Sequence, residues 1–394
     1  MNAIISKSDV VTAYGWGLDA LWEGLMSRKT AIASTDRFVE RHFVSDQMAM
    51  VSGLEVERGE SRAMAILKRL LLPVIGTIDP MTPLILATTV GEIDYVERAV
   101  LEKSPGFASQ ARPDILLGRL KAMLGLHGPA MVISSACASS AAALTRAASM
   151  VRHGDARAVL VVTCDAVTEF VYSGFSALLS LCEGPARPFD CERSGLTLGE
   201  AAAWALITRD DSPDARDASP AILGWGSTTD AVHMTAPDRN ARGLARAIAK
   251  ACSMARRSAD EIAFIAAHGT ATLYSDAMEL LAFGTAVRKP IPIFSVKGGV
   301  GHTLAAAGLV QVLVAARARE SGTMPPTVGL STPDTRAEGR AHSHPIRLGS
   351  APLMLSTNSG FGGVNTAILF GSPNDMEPTK PGRAASAARS EARS

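Results

Sequence analysis

Three residues of this 394-residue chain stand where chemistry can be done: Cys137, His268 and His302. Cys137 follows an apolar run, Met131-Val132-Ile133, then Ser134, Ser135 and Ala136, and a run of small helix formers comes after it. The pattern predicts a buried strand, a tight turn and a helix, with the cysteine at the turn. First-turn amides of a helix are unpaired donors carrying partial positive charge. A thiolate there is stabilised, so the thiol pKa is expected to fall. The same stretch also reads as a buried structural cysteine beside a packing helix, because free cysteine is among the most buried residue types. On this stretch alone the two readings stand level.

The histidines come later. Phe264 to Ala267 is an apolar strand that runs into His268, Gly269 and two threonines. Ser295 to Lys297 reads as a strand end, Gly298 to Gly301 as a loop, and His302 then precedes a small-residue helix. Side chains at strand ends point into crevices, and neighbouring glycines let backbones approach closely. Two such histidines favour a site over a structural role. Zinc ligands usually include one close pair in sequence, and none is present, so no metal is expected. The glycine run lacks the Walker lysine-Ser/Thr ending, and no GxGxxG follows the first strand, so no phosphate loop and no cofactor are expected.

The elements that must hold these residues alternate. Strand patterns cover Ala3–Val11, Leu84–Thr89, Ala158–Thr163, Ala201–Thr208, Ile222–Ser227, Ile262–Ala267 and Ile293–Val296. Helical patterns cover Leu18–Met26, Arg62–Ile78, Asp114–Leu124, Gly243–Ala255, Glu279–Val287 and Leu304–Ala318. Met354–Thr357 and Asn365–Phe370 read as a closing hairpin around Gly360, Gly362 and Gly363. Fully apolar strands alternating with helices mean α/β layers, with sheets covered on both faces. Arg209–Ala221 is polar and proline-marked, and reads as a surface connection between residues 1–208 and 222–371. Residues 372–394 have no apolar periodicity and are expected to be a disordered tail.

Composition narrows the partners. The chain is 47% hydrophobic and 20% charged with net charge +1, so no global field draws it to nucleic acid or a membrane surface. Its 5% aromatic content argues against base-stacking platforms. The apolar runs Leu70–Val90 and Ala156–Cys182 are broken by prolines and acids, so neither is expected to span a membrane. The five cysteines form no CxxC pair, and the start lacks a signal-peptide pattern. Together these point to a reducing, cytoplasmic compartment.

The strings SACASS, HGTAT, KGGVGHTLAAAG and NSGFGGVN occur in that order. With RPFDCERSGLTLGEAA and TTDAVHMTAP, they give the chain a resemblance to the β-ketoacyl-acyl-carrier-protein synthases of the thiolase superfamily, closest to the KAS II type. The resemblance runs from about residue 1 to Phe370. It implies a thiolase fold, two pseudo-twofold-related α/β halves in five layers (αβαβα), and a dimer. It implies that Cys137 takes an acyl group from acyl carrier protein. His268 and His302 then assist decarboxylation of a malonyl thioester and stabilise the enolate. Lys297 and Glu279 match groups that order the histidines. The amides of Cys137 and Phe361 match an oxyanion hole, with Phe361 gating the acyl pocket beside Gly360 and Gly362.

Departures from the family are equally legible. The loop keeps one Phe where the family has two, the region before Cys137 is shorter, and Leu179 stands where the family places a carrier-binding Arg. Carrier docking is therefore expected to fall on Arg62, Lys68 and Arg69. The departures suggest a specialised pathway, such as aryl polyene or unusual-lipid synthesis, over housekeeping elongation. The alternatives are the active or pocket-shaping subunit of a ketosynthase/chain-length-factor heterodimer, or a CoA-dependent acyltransferase. A pocket-shaping subunit usually lacks the nucleophile, and a thiolase would carry a second cysteine near the C-terminus, whereas the last here is Cys252. A Cys-His hydrolase lacks an assignable third group.

Overall fold

A computed structural model describes residues 2–38, 43–216, 219–349 and 353–376. Ten principal strands follow chain order: β1 (Ala3–Thr12), β2 (Leu84–Ala87), β3 (Ala130–Ile133), β4 (Ala158–Asp165), β5 (Ala201–Arg209), β6 (Ala221–Thr229), β7 (Ile262–Ala266), β8 (Ile293–Phe294), β9 (Leu353–Gly360) and β10 (Val364–Gly371). In the first half β2 lies parallel between β3 and β4, and β4, β5 and β1 then pair antiparallel. The second half repeats this arrangement: β7 lies parallel between β8 and β9, and β9, β10 and β6 pair antiparallel. The halves meet where Ala3 faces Ile222 and Ile4 faces Ala221.

Among the described residues the α-helices are α1 (Leu18–Met26), α2 (Arg62–Leu71), α3 (Asp94–Leu101), α4 (Pro113–Leu124), α5 (Ser139–His153), α6 (Glu169–Ala177), α7 (Arg242–Ala255), α8 (Leu273–Ala286), α9 (Lys297–Val300) and α10 (Ala307–Ser321). The strands bury both faces, and alternate residues go to different layers. Ile85 and Ala87 join the central core with α5 and α10, while Leu84 and Leu86 pack outward with α2 and α4. On the other sheet Phe264 and Ala266 face the centre, and Ile265 packs outward with α7 and α8. The order is helices, sheet, the α5/α10 pair, sheet, helices. This is the five-layer thiolase fold that the resemblance implies. Among the described residues no helix is long and apolar enough to cross a membrane.

The small residues after Cys137 let α5 and α10 cross closely. Ala141, Ala143, Ala147 and Ala148 are buried on α5. A Cβ on Gly308 would stand 2.8 Å from the Ala141 nitrogen and 2.9 Å from its Cβ. Ser140 stitches the crossing: its hydroxyl donates to the Ala305 carbonyl and accepts from the Leu309 amide at 3.0 Å.

Several local expectations shift. The helix expected over Arg62–Ile78 ends at Leu71, and Leu72–Val74 tightens into a 3₁₀ turn, because Pro73 offers no amide to continue the ladder. Gly298 to Gly301 is not an open loop. Lys297–Val300 makes one helical turn, fully buried. Helices α3 and α6 lie outside the periodic patterns read above. Thr168 caps α6 by accepting from the Val171 amide. Of the expected tail, Pro373–Met376 forms a short 3₁₀ turn, and residues 377–394 lie outside the described residues.

Because α10 accepts α5 only over a bare Cα, Gly308→Val overpacks the crossing. It is expected to cost about 1–3 kcal/mol and to lower the melting temperature in thermal denaturation. An unchanged transition would show that the crossing tolerates a side chain.

Candidate active site

Cys137 sits on a strained turn. Strand β3 ends at Ile133, and Ala136 adopts φ 48°, a left-handed conformation that costs a non-glycine residue about 1–3 kcal/mol. Ser139 holds the turn, accepting from the Ser135 amide at 2.8 Å and donating to the Ala136 carbonyl at 2.6 Å. Cys137 emerges at the mouth of α5, 6% exposed. The opposing loop between β9 and β10 presses close. A Cβ at Gly360 would lie 3.1 Å from the Cys137 nitrogen. The Phe361 amide bonds to the Cys137 sulfur, so two backbone donors, those of Cys137 and Phe361, face one point.

The thiol pKa does not fall as expected. Burial pushes it up to about 11, with Asp165 adding to the rise. The Lys297 ammonium and the two amides oppose this but do not overcome it. Cys137 rests as a thiol.

His268 and His302 meet with ring centroids 5.3 Å apart, nearly perpendicular, each 2% exposed. Burial and the Lys297 ammonium hold both imidazoles well below the usual histidine pKa, so both are neutral near pH 7. Their tautomers follow from their partners. The Leu304 amide donates to His302 Nδ1 at 3.0 Å. Lys297 Nζ and Asn358 Nδ2 approach His268 Nδ1 at 3.3 and 3.4 Å. With Nδ1 accepting in both rings, the remaining proton of each sits on Nε2. Both rings line one cavity with Cys137, which gives that cavity two neutral donors.

Lys297 and Glu279 are both drawn to His268, and neither touches His302. Glu279 accepts from the His268 amide at 2.8 Å, the Gly269 amide at 2.6 Å and the Thr357 hydroxyl at 2.9 Å. Burial raises its carboxyl pKa and lowers that of the Lys297 ammonium. Lys297 Nζ also bonds to the His268 carbonyl and to Gln311 Oε1. Gln311 ties Lys297 to Asn358 and spends its amide on the carbonyls of Ala267 and Thr357. Gln311 and Asn358 were missed by sequence reasoning. A lone glutamine in the apolar run of α10 is the signal that marks the first.

Two cavities meet at Cys137. One, of about 310 Å³, is lined by both histidines, Thr270, Thr272 and Leu179. The other, of about 900 Å³, is lined mainly by apolar residues of α3 and α6 and opens past Val100, Leu101 and Phe170, which are exposed. Phe361 lines both and stacks on Phe175 at 5.6 Å. Its loop is clamped by the stretch 228–237: Gly362 donates to the Met234 carbonyl at 2.6 Å, and Asp230 to the Gly363 carbonyl at 2.9 Å. His233 is exposed and caps a local turn, with its Nδ1 accepting from Thr235 and Ala236.

The three basic residues of α2 are engaged locally. Arg62 forms a two-point pair with Glu200 at 2.7 Å and donates to the Val51 carbonyl. Glu200 is wholly buried and requires that countercharge. Lys68 pairs with Glu60, and Arg69 lies over Trp16 at 4.0 Å while donating to the Gly53 carbonyl. None of the three lines either cavity.

Residues 79–212 match the family described as beta-ketoacyl synthase, N-terminal domain, and residues 220–331 its C-terminal domain. The chain is 26% identical over 407 residues to 3-oxoacyl-[acyl-carrier-protein] synthase 2 of Vibrio cholerae, covering 94% of this chain and 98% of that one. It is 31% identical over 279 residues to the synthase of the same name from Staphylococcus aureus, covering 68% and 69%. A ketosynthase of Xenorhabdus doucetiae, solved in complex with its chain length factor, superposes with TM-score 0.78 at 26% identity, covering 94% and 98%.

A thiol with a pKa near 11 ionises tenfold more per pH unit throughout the neutral range. Iodoacetamide alkylation of Cys137, followed by mass spectrometry, should rise about tenfold per unit from pH 7 to 9 without levelling. A plateau below pH 8 would mean that the helix terminus wins over burial.

Proposed function

The chain belongs to the β-ketoacyl synthase family, and we propose that it is a 3-oxoacyl-acyl-carrier-protein synthase in which Cys137, His268 and His302 carry out a decarboxylative Claisen condensation. The observation that carries this reading is the cavity shared by one thiol and two neutral Nε2–H donors. Cys137 Sγ attacks the carbonyl of an acyl thioester on acyl carrier protein. The new thioester forms as the carrier C–S bond breaks, and the thiol proton leaves with the carrier sulfur. The exchange is proton-neutral overall, and the small thiolate fraction of Cys137 is the species that attacks. The amides of Cys137 and Phe361 hold the developing oxyanion.

Malonyl carrier then places its thioester oxygen against His268 and His302. Loss of carbon dioxide leaves an enolate, which two neutral donors stabilise without quenching it. The enolate carbon attacks the acyl-Cys137 carbonyl, the C–S bond breaks, and the thiolate takes a proton from solvent. Lys297 keeps the imidazoles uncharged, and Glu279 fixes the His268 backbone. The acyl chain occupies the larger cavity, while the extender enters by the smaller one. The work divides between residues 1–208, which supply the nucleophile, and 222–371, which supply the histidines. Five unpaired cysteines suit a reducing cytoplasm.

A second reading makes the chain the cysteine-bearing subunit of a ketosynthase/chain-length-factor pair in a specialised fatty-acid or polyketide-like pathway. The open apolar wall of the larger cavity and the solved ketosynthase complex favour a related subunit beside it.

Incubation with acyl carriers of graded chain length, read by intact mass, should give an adduct on wild type and none on Cys137→Ala. An equal adduct on both would overturn the mechanism. His268→Ala and His302→Ala should each slow decarboxylation of malonyl carrier by on the order of 100-fold, and wild-type rates would remove their assigned role. Condensation by the purified chain alone would favour a homodimer. Acylation without elongation until a related subunit is added would favour the pair.

A further inference from the structure

Asp165 lies at the inner end of β4, wholly buried, and takes no part in the reaction described above. Every partner it has is a donor. Thr88 Oγ1 donates to Oδ1 at 2.6 Å, Thr89 Oγ1 to Oδ2 at 2.7 Å, and the Thr89 amide to both oxygens at 3.1 Å. The Ala305 amide donates to Oδ2 at 2.9 Å. Burial raises the Asp165 carboxyl pKa, and these donor bonds oppose the rise by favouring its acceptor form, the carboxylate. Its first four bonds fix the end of β2. The fifth crosses from the first half of the chain into the second and lands three residues from His302.

The turn it holds is strained. Leu304 has φ 51°, in the left-handed region that a branched side chain disfavours. That conformation brings the Leu304 amide onto His302 Nδ1 and sets the Ala305 amide toward Asp165. Without an acceptor at Ala305, the turn has less to hold it against relaxation. A relaxed turn frees His302 Nδ1 to carry the proton itself, which removes the donor from Nε2.

We infer that Asp165 is a positioning residue: by holding the Leu304–Ala305 turn, it fixes His302 as the Nε2–H tautomer and so sets one of the two enolate donors. The inference rests on the condensation reading for the identity of the step affected, but not for the tautomer itself. Acylation of Cys137 does not draw on this donor, because its oxyanion is held by two backbone amides. Removing Asp165 also removes a negative charge that holds the thiol up, so Cys137 should not become less reactive.

The test is a graded series on the full-length protein. Asp165→Ala abolishes the acceptor. Asp165→Asn can keep its oxygen toward Ala305 and turn its amide to Thr88, whose hydroxyl can rotate to accept. Malonyl-carrier decarboxylation is expected to fall about 30-fold or more in Asp165→Ala and to recover most of that loss in Asp165→Asn. Acylation of Cys137 by acyl carrier should stay within about threefold in both. Selective ¹⁵N labelling of histidine reads the tautomer directly: His302 should show one protonated Nε2 in wild type and a mixed population in Asp165→Ala. Should Asp165→Ala not fold, Asp165→Asn and Ser140→Ala, which loosens the same turn from its other side, carry the nitrogen measurement. Acylation and decarboxylation falling together, or an unshifted His302 tautomer, would overturn the inference. Absence of both reactions in wild type, with a shifted tautomer in the variant, would instead overturn the condensation reading and leave the positioning role standing.

Discussion

The site depends on how closely two buried helices can pass. Cys137 stands at the start of α5, and His302 lies five residues before α10. These helices are the middle layer between the sheets, and their crossing sets the distance between Cys137 and His302. Small residues make that distance short: Gly308 meets Ala141 where any side chain would collide. Ser140 and Asp165 then carry hydrogen bonds across the same seam, to the Ala305 carbonyl and amide. The strained conformations at Ala136 and Leu304 persist because the hydrogen bonds and packing along this seam hold the two turns.

Around that crossing, one buried ammonium organises the charges. Lys297 has no room to reach water, and its donors are spent on the His268 carbonyl, His268 Nδ1 and Gln311. Its positive field makes a second positive charge on either imidazole unfavourable. The same field draws the thiol toward its anion, but less strongly than burial resists. The result is a pocket with a protonated sulfur and two neutral donors at rest. Anionic character appears there only when substrate brings it.

Much of this is legible in the sequence. Cys137, His268 and His302 each follow a short apolar strand and sit beside small residues or glycine, and the alternation of strands and helices reveals two similar halves. The thiol pKa is not legible, because helix position can be read from sequence while burial by a distant loop cannot. Arg62 shows the same gap. Its spacing places it on a polar helix face, yet its partner Glu200 lies 138 residues away and buried. Helix α3 goes unread because its half-exposed apolar residues line a cavity rather than a core. Asp165 is visible only as an acid at the end of an apolar run. Its meaning depends on Thr88, Thr89 and Ala305, which no local pattern connects.

The meeting of two cavities at one sulfur has a consequence for how such a protein diversifies. On the proposed condensation, the wall that would measure an acyl chain is built mainly from α3 and α6, whereas the wall that would surround the extender draws on strand ends and the glycine loop. Mutations that reshape the first leave the reacting atoms where they are. Length selection can therefore drift between lineages while the bond-forming step stays fixed. Phe361, Phe175 and Leu178 border both spaces beside Cys137, and through them a change in one is felt in the other.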